Sequence, residues 1–181
     1  MNIDELQSKQ SEAGVISSLL FNPSLIYHSD ELIPSHFSNK ENGWIYWAIK
    51  ELVNDGVNGI DVFNLSNMLN SDKGKKEKIS EIPLEKLKEI FTYAEDVART
   101  DENDYKVLVK EVLGMALKRA TYKKLKDCER MCFTEDTEEL QGKIYSSIDK
   151  IMMDFNCINE VPEYKDIVRP IWERIKEEQK G

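Results

Sequence analysis

Apolar residues recur at three- and four-residue steps along almost the whole chain, the period of helices that bury one face. Few breakers interrupt that pattern, since there are only 8 glycines and 5 prolines. The spacing predicts an all-α chain. Val15, Ile16, Leu19 and Leu20 share one face of a first helix over residues 8–21. Asn22-Pro23 ends it, because proline disfavours helical geometry in its predecessor. A short element over 24–32 leads to Pro34. An aromatic helix over 40–54 then carries Trp44, Ile45, Trp47, Ala48, Ile49 and Leu52 before Asp55-Gly56 and Asn58-Gly59. Asp61 stands where an N-cap belongs, its carboxylate accepting from the free amides of a helix over 62–69. The polar stretch 70–80, with Lys73, Lys75, Lys76 and Lys78, reads as an exposed loop. Pro83 suits the first turn of a further helix bearing Leu84, Leu87, Ile90, Phe91 and Ala94.

From Thr100 to Met131 the helical period runs on with Gly114 as its one breaker, which predicts a helix about 45 Å long. Tyr105, Leu108, Val109, Val112 and Ala116 form its stripe, and Leu117, Leu125, Cys128 and Cys132 carry it onward. After a turn at 133–135, Asp136 and Glu139 are spaced as a capping box. The helix they open has Leu140, Ile144, Ile148, Ile151 and Phe155 in register. So short a turn predicts an antiparallel hairpin. Residues 156–162 read as a linker. Ile167, Val168, Ile171, Trp172 and Ile175 make a last amphipathic segment over 164–180, interrupted by Pro170. The expected organisation is a small globular helical domain over 1–99, a hairpin over 100–155, and a linker with its helix over 156–181.

Composition narrows the function. The 181 residues carry 25 Lys and Arg against 34 Asp and Glu, a net charge of -9. This argues against a surface that grips nucleic acid everywhere, although a local basic patch stays open. Hydrophobic residues at 40% and charged residues at 33% describe a folded chain rather than a disordered one. No apolar run reaches the length of a membrane span, and the polar, acidic N-terminus is unlike a secretory signal. A cytoplasmic protein is expected. The odd count of 3 cysteines fits a reducing compartment.

Catalysis finds little to work with. The 2 histidines, His28 and His36, fall between the first two long helices with no ligand-spaced cluster around them, so both are read as structural. Cys128 and Cys132 share a helical face and are read as core rather than as half a metal site. Cys157 has no assigned role. The Ser71–Lys76 run lacks the first glycine of a phosphate loop and the Ser or Thr after Gly-Lys, so it is not a nucleotide site. Phe37, Trp44, Tyr46 and Trp47 are read as core, with Tyr46 at its outer side. Lys118, Arg119, Lys123 and Lys124, followed by Lys126 and Arg130, form a local basic stretch and are the candidate nucleic-acid contacts. Leu113, Leu117, Tyr145 and Met152 fall outside the expected hairpin seam and are candidates for an oligomer or partner interface. No catalytic residue, metal site or cofactor is expected.

The order of these features resembles a known family. Glu12 to Pro23, with Val15, Ile16, Leu19, Leu20 and the closing Asn22-Pro23, is similar to the first helix of the N-terminal domain of DnaB-type replicative DNA helicases, whose pattern is Glu-x-x-Val-Leu-Gly-x-Leu-Leu ending in Asp-Pro or Asn-Pro. Ser17 stands where the family usually has glycine. Leu32-Ile33-Pro34-Ser35-His36-Phe37 resembles its Leu-x-Pro-x-x-Phe. Ile45 to Leu52 resembles Ile-x-x-Ala-Ile-x-x-Leu, and Ile60-Asp61 with Leu65 resembles its Ile-Asp-x-x-x-Leu helix. The likeness covers residues 10–70 well and 100–155 by pattern, where Asn103, Tyr105 and Val109 echo the start of the family's hairpin. The family's Gly-Gly-x-x-Tyr-Leu segment is replaced by the lysine loop, and the hairpin arginine is shifted to Arg119.

The resemblance implies the N-terminal collar of a hexameric helicase, commonly a trimer of dimers, that engages primase and sometimes a helicase loader during DNA replication. It further implies that residues 166–181 are the linker helix, with Ile167, Ile171, Trp172 and Ile175 docking on a neighbouring motor. That motor holds the ATPase and most DNA contacts, and this chain carries no Walker motif. The expected function is a non-catalytic oligomerisation and protein-interaction domain. The alternative is a stand-alone single-stranded-DNA-binding or loader-like accessory protein using the basic stretch.

Overall fold

A computed structural model describes residues 3–155, and among them the regular structure is helical throughout. The expected linker, Cys157 and the docking residues Ile167, Ile171, Trp172 and Ile175 lie outside the described residues. Seven α-helices follow one another: α1 (Lys9–Phe21), α2 (Lys40–Asn54), α3 (Val62–Leu69), α4 (Asp72–Lys76), α5 (Leu84–Val97), α6 (Glu102–Thr134) and α7 (Thr137–Asp154). Short 3₁₀ turns at Ile3–Glu5, Pro23–His28 and Pro34–His36 fill the N-terminus and the connection from α1 to α2.

Helix α1 is the centre of the bundle and touches α2, α5 and α6. It is buried nearly all round, Ser11, Glu12, Ser17 and Ser18 included. Its polar groups therefore need partners inside the protein. Glu12 receives four hydrogen bonds: the amide and hydroxyl of Ser38 at 2.6 Å each, the amide of Asn39 at 3.1 Å and the side-chain amide of Asn42 at 3.4 Å. The carboxylate thus sits at the start of α2, where helix amides lack partners. Ser18 donates to the Gly14 carbonyl and accepts from the Arg99 amide at 2.9 Å, which fastens the end of α5.

The caps follow the sequence closely. Asp61 accepts from the amides of Phe63 and Asn64, and Asn64 answers by accepting from the Asp61 amide. Asp101 caps α6 in the same way through Asn103 and Asp104. At Asp136 the expected box does not form, because Glu139 turns forward to Lys143 at 2.7 Å instead. The 70–80 stretch is not simply a loop either. It holds α4, whose Ser71 cap accepts from the Gly74 amide, and Lys73 pairs with Glu51 and Asp55 at 3.2 and 3.1 Å. Gly74 packs so tightly that a Cβ there would lie 2.1 Å from the Leu69 carbonyl oxygen.

The core gathers Val15, Ile16 and Leu19 of α1, Ile45, Ala48 and Ile49 of α2, Leu65, Leu87 and Ala94, and then Tyr105, Val109 and Val112 of α6. The first half of α6 therefore packs into the core of the globular body. Only its second half stands out with α7 as an antiparallel hairpin. Tyr46 corrects an expectation. It is fully buried beside the equally buried Tyr105, and both hydroxyls meet Ser29. Tyr105 donates to the Ser29 hydroxyl at 2.9 Å and Tyr46 to the Ser29 carbonyl at 3.0 Å. Burial pushes the Tyr46 phenol up to about 12. This hydroxyl cluster ties the 22–37 connection to both helices, while Trp44 and Trp47 are the half-buried aromatics.

Candidate functional site

Among the described residues, the hairpin leaves Leu125, Phe133, Tyr145, Ile148, Met152 and Met153 exposed. Ile151 is buried, and Leu140, Ile144 and Phe155 are half-buried, as one face of α7 meets α6. Beside that seam Tyr145, Ile148 and Met152 follow at steps of three and four, with Tyr145 77% and Met152 56% exposed. On α6, Leu117, Thr121 and Leu125 make a similar strip at steps of four, Leu125 being 57% exposed. Both helices are right-handed and run antiparallel, so their spacing places the two strips on the same side of the seam. Phe133, 87% exposed, marks the hairpin tip.

The α6 strip also borders a groove of about 390 Å³ formed with Glu5 and Leu6 of the N-terminal turn and with Tyr122, its rim carrying Lys118. On another side of the hairpin, Ala116, Ala120, Lys123, Asp154 and Phe155 line a cavity of about 470 Å³ with Glu31, Ile33 and His36 of the body. His36 is 9% exposed, stacks on Phe155 with ring centroids 5.2 Å apart, and accepts the Ile33 amide at Nδ1. Burial first, and the nearby Arg119 charge second, hold its pKa below 6.5. His28 is partly exposed with Nδ1 3.4 Å from Glu102.

The structure separates the residues that the sequence grouped. Leu113 is only 3% exposed and sits in the core, so it has no side-chain surface for a partner. Tyr145 and Met152 are exposed, whereas Leu117 is half-buried where α6 meets the N-terminal turn. Arg119 is not a nucleic-acid contact on an open face. Its guanidinium donates to the carbonyls of Leu6, at 2.8 Å, and His36, clamping the N-terminal turn and the α1–α2 connection onto α6. Lys118 and Lys123 are exposed, whereas Lys124 is half-buried with Asp127 4.0 Å away. Further along, Lys126 pairs with Glu129 and Arg130 with Asp127, so the basic stretch is laced with acids. Cys128 is buried against α7, and exposed Cys132 points its thiol at the Cys128 carbonyl. Leu6 and Ile148 were missed as surface candidates. The signal for Ile148 was its place one turn from Tyr145, while nothing in the sequence near Leu6 pointed to α6.

The chemistry available here is adhesive. Among the described residues, no group of three or more His, Cys, Asp or Glu is placed to hold a metal ion, and no helix is long and apolar enough to cross a membrane. Four-helix contacts between hairpins, or a hairpin groove filled by a helix, are what such strips support.

The fold defines a class of all-helical domains built on a body and an antiparallel hairpin. The family model for the DnaB-like helicase N-terminal domain matches residues 4–111, and the chain belongs to that family. The crystal structure of the N-terminal domain of DnaB helicase from Mycobacterium tuberculosis shares the fold, with a TM-score of 0.65 at 16% identity over 80% of this chain and 97% of that one. No curated protein matches the chain.

Proposed function

We infer that this chain is a self-associating docking domain of a replicative helicase, without chemistry of its own, whose hairpins pair with one another and which engages a primase or a helicase loader. The observation that carries the reading is the uncovered apolar surface of the hairpin, with Tyr145, Ile148 and Met152 exposed on α7 and Leu125 on α6. A surface of this kind is stabilised when it is removed from water, at roughly 25 cal/mol per Å² of apolar area. Pairing about a two-fold axis buries the same strips on both copies and leaves no open edge. Family membership supplies the expectation of a primase or loader, and of a parent motor that binds DNA.

Sedimentation of the chain alone and with the cognate primase's C-terminal domain tests this. A concentration-dependent dimer is expected, with a dissociation constant raised at least tenfold by Tyr145→Asp, because an unpaired carboxylate would enter an apolar contact. A chain that stays monomeric at hundreds of micromolar and ignores the primase domain would rule the reading out.

A further inference from the structure

We propose that the cavity between the N-terminal turn, the start of α2 and the middle of α6 receives an acidic peptide of a partner protein, its carboxylates drawn to Lys40, Arg119 and Lys123 and a neighbouring apolar side chain laid against Trp44 and Ile79. The cavity measures about 560 Å³, within the range that holds a small ligand or a few side chains. Two helices set its charge. Lys40 and Trp44 are one turn apart on α2, and Arg119 and Lys123 one turn apart on α6, so each pair shares a face of its helix. Gly43 lets α2 come this close to the α1–α2 connection, since a Cβ there would lie 2.4 Å from the Pro34 carbonyl oxygen.

Lys40, Arg119 and Lys123 line this cavity against a single carboxylate, Glu77, in a chain whose net charge is -9. Lys40 and Lys123 are exposed, and among the described residues neither they nor Arg119 form an ion pair. Arg119 is half-buried, and the carbonyls it donates to, those of Leu6 and His36, carry no charge to balance its own. Burial holds its pKa below the ordinary value, and the Glu12 charge that opposes this is turned to Ser38, Asn39 and Asn42. A carboxylate entering the cavity is therefore stabilised by positive charge that the fold leaves uncompensated. The neighbouring cavity of about 470 Å³ shares Ser35, Arg119 and Lys123 but has Glu31 and Asp154 in its wall, so it offers an anion no such excess. A peptide fits better than a nucleic-acid strand. Trp44 and Ile79 accept an apolar side chain, whereas a phosphodiester backbone would run on past the cavity over a surface of net negative charge. The site is separate from Tyr145, Ile148 and Met152, and the proposal does not rest on hairpin pairing.

Titration of the full chain with the peptide Asp-Glu-Phe-Asp-Glu-Leu, followed by nitrogen–proton NMR at low salt, is the test. Binding tighter than about 0.2 mM is expected, weakening as salt is added. The Trp44 indole N–H and the amides of 40–44 and 119–123 should move, and those of 145–152 should not. Lys40→Glu and Lys123→Glu should each weaken binding at least about fivefold. Lys118→Glu makes the same change of net charge at an exposed position on the rim of a different groove, and should alter binding less than about twofold. All three side chains are exposed, and unchanged signals from the core amides of 105–116 check the fold. Tyr145→Asp, which addresses hairpin pairing, should bind the peptide as the unmodified chain does. Binding weaker than that limit, equal binding of the peptide Asn-Gln-Phe-Asn-Gln-Leu, or an equal loss in Lys118→Glu would overturn the proposal. So would an oligothymidylate that moves the same signals at lower concentration, which would assign the cavity to nucleic acid.

Discussion

His36 accepts an amide hydrogen bond at Nδ1 and stacks on Phe155, so the fold requires its neutral ring. Arg119 and Lys123 border it with positive charge, and Asp154 and Glu31 with negative. Its pKa in the folded state lies below the ordinary 6.5, so between these two values the unfolded chain binds the extra proton. Stability is accordingly full above pH 6.5, falls as pH drops toward the folded pKa, and levels off below it. Urea unfolding between pH 7 and 5 should show a steeper loss for the unmodified chain than for His36→Gln, and equal slopes would refute the assignment. At this scale the sequence spoke clearly only where the partner was near. Asp61 was legible because the amides that donate to it are two and three residues away. Arg119 was not, since the carbonyls it clamps are 113 and 83 residues distant.

Helices were legible because their period is written within each segment: α1, α2 and α3 fall within a residue of the expected bounds, and α5 begins one residue after Pro83. Helix α4 was missed because five residues with three lysines show no apolar period, while its stability comes from Ser71, Gly74 and the Lys73 ion pairs. The joint between α1 and α2 depends on one side chain. Glu12 is 1% exposed and takes all four of its hydrogen bonds from Ser38, Asn39 and Asn42. Glu12→Ala strands those donors in the interior and should cost about 3 kcal/mol in urea unfolding, with Glu12→Gln costing less because it still accepts. A loss under about 0.5 kcal/mol for Glu12→Ala would show that water replaces the carboxylate.

Over the whole molecule, the net charge of -9 and the acids interleaved with Lys124, Lys126 and Arg130 argue against the DNA-binding alternative. Phosphate affinity is built from unopposed cations, and Arg119 is already engaged by carbonyls. A labelled oligothymidylate should bind this chain no more tightly than about 100 μM at 0.15 M salt, the weak end of non-specific binding. Submicromolar, salt-sensitive binding would restore that alternative. By itself the sequence determined the helices other than α4, the Asp61 cap and the hairpin, along with an order of motifs that pointed to the family. Each of these depends on residues within a few positions of one another. Tertiary structure alone decided that half of α6 joins the body, that Tyr46 and Leu113 are inside, and that Tyr145 and Met152 remain outside. Periodicity states that a helix has an apolar face, but which residues at its edge are covered depends on what segments distant in the chain bring against it.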